Sequence, residues 1–329
     1  MKKTISIIVL ALLLISCGAK LKGNDGKPGK DGVSSKTVTI TSDEVKDIVA
    51  FLASDDLEGR DTGSAGIESS AKMIEYKFKE MGLKPYFDAT SYRDNFKIGE
   101  MDAFNVVGYL EGSDSKLKEE FIIIGAHYDH IGIGKDVNGD TIANGANDNA
   151  AGTSAVLSLA KYFAAKKNNK RSLLFVTFTA EEKGLLGSKH LAERLKEQNF
   201  NLYTMFNIEM IGVPFKARDY EAFVSGYELS NFAEKANEYA GNKLLGFSEV
   251  SKKYSLFKRS DNYPFYQAFK VPSHTVSSCD LTNFDFYHHV DDEIDKLDYP
   301  FMASLINKMA PVIEAMSNTA TREIRMNDN

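Results

Sequence analysis

The chain has 329 residues, enough for one large α/β domain or two small ones. Its 43% hydrophobic and 26% charged residues can build a sizeable core, and past the N-terminus no run is apolar enough to cross a membrane. With 40 basic against 46 acidic residues the net charge is −6, and no long basic run exists to follow a phosphate backbone, which argues against nucleic acid as a partner.

The N-terminus reads as an export signal. Lys2 and Lys3 precede an apolar run over 5–15, broken only by Ser6 and the small Ala11, which is too short to span a bilayer. The run closes on Leu14-Ile15-Ser16-Cys17-Gly18, which resembles the lipobox of bacterial lipoproteins. That resemblance implies a signal peptide over 1–16, acylation of Cys17, and anchoring to a bacterial membrane on its non-cytoplasmic side. Residues 17–36 are mostly Gly, Lys and Asp and should form a solvated tether; their three collagen-like triplets are too few for a triple helix. A single folded domain is expected over 37–329. The only other cysteine is Cys279, so no disulfide framework is implied.

Along the domain, Ser42 is expected to cap a helix over 42–53, with Val45, Ile48, Val49 and Leu52 on one face. A second helix over 66–81 ends at Gly82. Short β-like segments follow at 86–97 and 104–110, then Phe121-Ile122-Ile123-Ile124, a continuous apolar run as expected of a buried strand. Helices are expected over 150–165, 188–196, 228–240, 262–267 and 299–316. Strands are expected over 173–179, 203–210, 221–225 and 271–276. The alternation predicts an α/β fold with a mixed, mainly parallel sheet covered by helices on both faces.

Ligands of open α/β sheets bind beyond the carboxyl ends of the strands, so the residues that follow each apolar run are the ones to read. They are Gly125-Ala126-His127-Tyr128-Asp129-His130, Ala180-Glu181-Glu182, Asn207-Ile208-Glu209-Met210 and Phe286-Tyr287-His288-His289-Val290-Asp291-Asp292. Gly145-Ala146-Asn147-Asp148-Asn149 stands just before a helix. Each alone could be a cap or a solvated loop residue. Together they offer imidazole and carboxylate without thiolate, the donor set of a catalytic zinc site, and more carboxylates than one ion needs. No His-Glu-x-x-His helix, G-x-S-x-G elbow, P-loop or dinucleotide-binding glycine motif is present. Cys279 reads as a half-buried loop residue rather than a nucleophile.

These residues, in this order, resemble peptidase family M28, which includes secreted bacterial aminopeptidases. The resemblance extends from Leu52-Ala53-Ser54-Asp55-Asp56-Leu57-Glu58-Gly59-Arg60 to the C-terminal helix and includes Arg259-Ser260-Asp261-Asn262-Tyr263-Pro264-Phe265, where the family often has His at the position of Asn262. It implies a zinc-exopeptidase fold of the phosphorylase/hydrolase-like type and a metallo-aminopeptidase activity on peptides with a free amino terminus. It also implies two zinc ions bridged by Asp148, with His127 and Glu209 completing one site and Glu182 and His288 the other. Glu181 would be the general base and Tyr287 a donor to the oxyanion. Asp129 is a candidate orienter of His127, Arg60 and Asp261 are expected to hold loops, and His130 and His289 are read as loop residues. Too few residues separate Gly82 from His127 for the inserted protease-associated domain of some members. At position 209 the family commonly has Asp, one methylene shorter than Glu. Two other readings stay open: a glutaminyl cyclase with one zinc, against which the absence of tryptophan counts, and a silent binding protein on the same fold.

Overall fold

In a computed structural model, which describes residues 38–328, the apolar runs become the middle of a nine-stranded sheet. The expected signal peptide, Cys17 and the tether lie outside the described residues. The strands are β1 (Lys84–Pro85), β2 (Arg93–Ile98), β3 (Met101–Leu110), β4 (Phe121–His127), β5 (Gly132–Val137), β6 (Asp140–Ala143), β7 (Ser172–Phe178), β8 (Leu202–Ile208), β9 (Ala222–Val224), β10 (Leu245–Gly246) and β11 (Ser273–Ser277). Their order in the large sheet is β1-β3-β7-β4-β8-β11-β9-β10, with β2 paired to β3. The centre, β7-β4-β8-β11, is parallel; β1, β2 and β3 run antiparallel on one flank, and β9 meets β11 antiparallel on the other. The sheet is therefore mixed, with parallel pairing concentrated in the middle. β5 and β6 form a separate hairpin.

Why the central strands read as continuous apolar runs is visible in their two faces. Ile122, Ile124, Leu173 and Phe175 enter a core with α1 (Ser42–Leu52), α2 (Ala65–Glu80), α3 (Gly152–Lys166), α5 (Phe232–Ala240) and α8 (Tyr299–Asn318). Ile123, Leu174 and Val176, one residue out of phase, enter a second core with α4 (Leu186–Glu197) and α7 (Asn262–Phe269). A short helix, α6 (Glu249–Lys253), lies between β10 and α7. Among the described residues no helix is long and apolar enough to cross a membrane.

Local chemistry shifts some expected boundaries. Thr41, not Ser42, caps α1: its hydroxyl accepts from the Glu44 N–H at 3.3 Å, and the Glu44 carboxylate accepts from the Thr41 N–H at 3.4 Å. The helix expected over 228–240 is split. Ser230 is extended at φ −153° and its hydroxyl accepts from the Phe232 N–H at 3.1 Å, so α5 starts only at Phe232.

That same Ser230 hydroxyl donates to His274 Nε2 at 2.7 Å, while His274 Nδ1–H donates to the Ser225 carbonyl at 2.8 Å. The imidazole is fully buried beside Phe232 and Phe257. Burial, only partly opposed by the bond to Ser225, pushes its pKa down to about 4. At pH values between about 4 and 6.5 the unfolded chain therefore binds a proton that the folded ring refuses. The ring's contribution to stability is complete above about 6.5 and is lost as the pH falls toward 4. We expect the unfolding free energy of the wild type to fall by roughly 2 kcal/mol more than that of His274→Gln between pH 7 and pH 5. Urea unfolding at the two pH values measures this, and parallel losses would show that the ring is not the source.

Candidate metal centre

Three parallel strands deliver their last residues to one place. His127 ends β4, while Glu181–Glu182 follow β7 and Glu209 follows β8. The chain turns sharply after each of the latter two strands, with Ala180 at φ +56° and Met210 at φ +48°. Asp148 enters from the irregular turn that precedes α3. One of its oxygens, Oδ1, lies 3.3 Å from His127 Nε2; the other, Oδ2, lies 3.4 Å from His288 Nε2 and 3.8 Å from His130 Nδ1. Glu182 spans the second group, with Oε2 at 3.0 Å from His288 Nε2 and Oε1 at 3.0 Å from His130 Nδ1. Ligand atoms of His127, Asp148 and Glu209 all fall within 4.8 Å of one another, as do those of His130, Asp148 and Glu182. The arrangement is two donor groups sharing one carboxylate.

Polar residues around the centre fix these side chains in place. Asn149 Oδ1 accepts from the Met210 N–H at 3.1 Å and its amide donates to the Ile208 carbonyl at 3.1 Å, tying the Asp148 turn to the end of β8. Asn147 Oδ1 accepts from the Gly212 N–H at 2.8 Å. The Asp292 carboxylate accepts from the N–H groups of Asn147 and Asp148 at 2.7 and 2.9 Å. Asp129 does orient His127, but through its backbone: His127 Nδ1–H donates to the Asp129 carbonyl at 3.1 Å. The Asp129 carboxylate instead accepts from the N–H groups of Glu181 and Glu182 at 3.3 and 3.4 Å, so it aims the adjacent pair. Ser260 donates its hydroxyl to Glu209.

Arg60 is the buried cation beneath this assembly. Its guanidinium donates to the carbonyls of Tyr128 at 3.0 Å, Asn144 at 2.5 Å, Gly145 at 3.0 Å and Leu52. Burial lowers its pKa to about 10, still far above neutrality, because Asp292, Asp129, Asp148 and Glu182 oppose the loss of charge. The segment before it turns tightly with Gly59 at φ +68°; a side chain there would collide with the backbone oxygens of Gly132 and Ala143.

The same acids set one another's proton affinities. Burial pushes Glu181 well above the usual carboxylate range; the charge of His127 opposes this, and Glu209, Asp261 and Glu182 add to it. Burial likewise takes Glu209 up to about 7. For Asp148 burial works upward, but the contacts with His127 and His288 hold it below the usual range. For His127 burial works downward, and Glu181, Asp129 and Asp148 outweigh it, raising the imidazole well above its ordinary value. Asp261 is fully buried, and neither carboxylate oxygen has a hydrogen-bond partner among the described residues.

All five residues named from sequence as ligands, His127, Asp148, Glu182, Glu209 and His288, are brought together here, and Glu181 stands beside them. The Tyr287 ring stacks on His288 with centroids 3.9 Å apart and lines, with Glu209, a small cleft of about 40 Å³. His289 Nδ1 accepts from the Asp291 N–H at 3.1 Å, a loop contact. His130 differs from its expected place: it is fully buried, and its ring faces the acids of the centre. Spacing could not show this, since His130 lies past the strand end, where alternation no longer tells which way a side chain points. Asp292 was also missed; its signal was a position four residues past His288, within a motif already singled out. Cys279 is buried with its thiol pushed up to about 12, chiefly by burial, and is no activated nucleophile.

We expect Arg60→Met to lower the unfolding free energy by about 3–5 kcal/mol, because the carbonyls it serves are left unsatisfied in a buried place. Chemical denaturation of the two proteins tests this; a loss under about 1 kcal/mol would show that the guanidinium does not hold these loops.

Comparison with known proteins places the centre in context. Residues 105–313 match the model of peptidase family M28. Aminopeptidase YwaD of Bacillus subtilis (strain 168) is 30% identical over 166 residues, which are 50% of this chain and 33% of that relative. The chain thus spans about a third of that relative's length. Among solved structures, BSAP, a zinc aminopeptidase from Bacillus subtilis, superposes with a TM-score of 0.67 at 16% identity, covering 84% of this chain and 95% of that one. Fimbriiglobus ruber glutaminyl cyclase superposes with a TM-score of 0.66 at 19% identity, covering 88% and 99%. At these identities the two structures show the shared mixed α/β fold.

Proposed function

The chain belongs to peptidase family M28, and on that premise we propose that it is a zinc-dependent aminopeptidase that hydrolyses the first peptide bond of peptides with a free amino terminus. The observation that carries this reading is the buried Asp148 carboxylate, which offers one oxygen to the His127 group and the other to the His288 group. The donor set itself fits zinc. His127 Nε2, in one group, and Asp148 Oδ2, toward the other, are buried and have no hydrogen-bond partner among the described residues, an unmet need that a bound ion would satisfy. In this reading His127, Asp148 and Glu209 hold one zinc, and Asp148, Glu182 and His288 hold the other.

Bound zinc would supply Lewis acidity to the attacking water and the scissile carbonyl. The protein supplies the rest. Glu181, its proton affinity raised by burial, takes the proton of the attacking water and returns it to the leaving amine. Tyr287 donates its hydroxyl to the carbonyl oxygen as negative charge develops there. The surrounding carboxylates attract the substrate's ammonium, which an acetylated peptide lacks. The cleft beside Glu209, lined by Met210, Phe223, Leu256 and Leu281, receives the side chain of the first residue. The lipobox-like segment supports a further proposal, that the mature protein is held at a bacterial membrane by lipid on Cys17.

Trimming of a free-amine peptide should be abolished by strong chelation, and the N-acetylated twin should be spared, as read by mass analysis of products. Equal cleavage of both twins would overturn the exopeptidase reading, and cyclisation of an N-terminal-glutamine peptide by a protein with one zinc would replace it with a cyclase. Glu181→Gln should lower turnover by about 100-fold or more while zinc content stays normal; a variant that loses zinc instead would make Glu181 a ligand. Cys17→Ser should move the protein from the membrane to the soluble fraction, and its retention on the membrane would defeat the lipid proposal.

A further inference from the structure

His130 is not needed by the two zinc sites proposed above, yet the fold spends considerable structure on it. The ring is fully buried, and its only polar contacts among the described residues are with acids of the centre: Nδ1 lies 3.0 Å from Glu182 Oε1 and 3.8 Å from Asp148 Oδ2. Its far nitrogen, Nε2, is buried with no hydrogen-bond partner among the described residues, so nothing on that side anchors the ring. Room for it is made by Gly145, at φ +56°, where a Cβ would stand 2.5 Å from His130 Cγ. A buried imidazole kept only for packing would be served better by an apolar side chain, since burying polar nitrogen without partners is costly.

The distances suit a ligand. Zinc bonds of about 2.0–2.2 Å to nitrogen and oxygen keep any two donors on one ion within about 4.4 Å of each other. Nδ1 of His130 meets that limit with both Glu182 and Asp148, and Nε2 of His288 meets it with the same two residues at 3.0 and 3.4 Å. The two rings approach edge to face with centroids 5.7 Å apart, and each meets its own oxygen of Glu182, His130 at Oε1 and His288 at Oε2.

Building on the proposed zinc reading, we infer that His130 is a further protein ligand of the zinc held by Asp148, Glu182 and His288. That site then draws two imidazoles and two carboxylates from the protein, the donor number of a closed tetrahedral centre. The other site, with His127, Asp148 and Glu209, has three and keeps a position open. The two ions thereby play different parts. The His130 ion is held tightly and anchors the centre, and the His127 ion is the more exchangeable and the more open to substrate.

The competing account is that His130 only donates a hydrogen bond to Glu182 and so positions that ligand. Two measurements on the full-length protein, stripped and reloaded with zinc, separate them. X-ray absorption of the form carrying one zinc per chain should show two imidazoles on the ion in the wild type and one in His130→Ala. In competition with a chromogenic chelator, His130→Ala should bind the first zinc more than about 100-fold more weakly, beyond the roughly 10–100-fold cost of losing a residue that merely orients a ligand. His130→Asn keeps an N–H near the place of Nδ1 and should not restore affinity. One imidazole on the first zinc in the wild type, or affinity restored to within about 10-fold by His130→Asn, would overturn the ligand assignment. If neither variant folds, the wild-type absorption count decides. A chain that takes up no zinc would overturn this inference and the proposed function together, whereas two zincs with one imidazole each would overturn only the inference.

Discussion

The structure turns on a concentration of carboxylates withdrawn from water at the ends of three neighbouring parallel strands. Asp148, Glu181, Glu182, Glu209, Asp129, Asp261 and Asp292 share one region, with imidazoles and the buried guanidinium of Arg60 set against them. Left to themselves, buried like charges take up protons until the repulsion is relieved. The high proton affinities of Glu181, Glu209 and Asp261 come chiefly from burial, with repulsion from neighbouring carboxylates adding to it, while Asp148 and Glu182, touched by imidazoles, stay low. A cation at the centre is what would let all of them ionise together.

Positioning such groups takes a rigid scaffold that itself contributes little chemistry. The parallel centre of the sheet fixes where His127, Glu181 and Glu209 leave their strands, and the two asparagines beside Asp148 transmit the position of β8 to the turn before α3. Asp129 and Asp292 do the same with carboxylates, each accepting two backbone N–H groups next to a site residue. These interactions explain why an asparagine at 149 suits the turn: its amide donates and accepts at once, which a carboxylate could not do, while Asn147 serves as an acceptor.

Much of this was legible in the sequence because the strongest signals are physical. Continuous apolar runs at 121–124 and 173–179 mark strands covered on both faces, and both became central strands. Clusters of imidazole and carboxylate just past those runs located the centre. The β5–β6 hairpin escaped notice because its residues are largely exposed and lack an apolar run, although Asn138-Gly139 at its tip, both at positive φ, is the turn that such a hairpin favours. His130 escaped for a different reason: beyond a strand end no periodicity reports direction, and only the path of the backbone beside Arg60 turns the ring inward.

The clamp made by Arg60 has a bearing on how such proteins can be recombined. The family match begins at residue 105, yet the guanidinium that secures the loops on both sides of the centre comes from residue 60, and Thr62 reaches the Asp129 carboxylate from the same segment. The segment from residue 105 onward is therefore not a self-sufficient module. A chimera joined at 105 would inherit the acids without the partner matched to them, so the seam along which relatives can exchange parts lies upstream, before the first helix, where the chain has yet to contribute to the site.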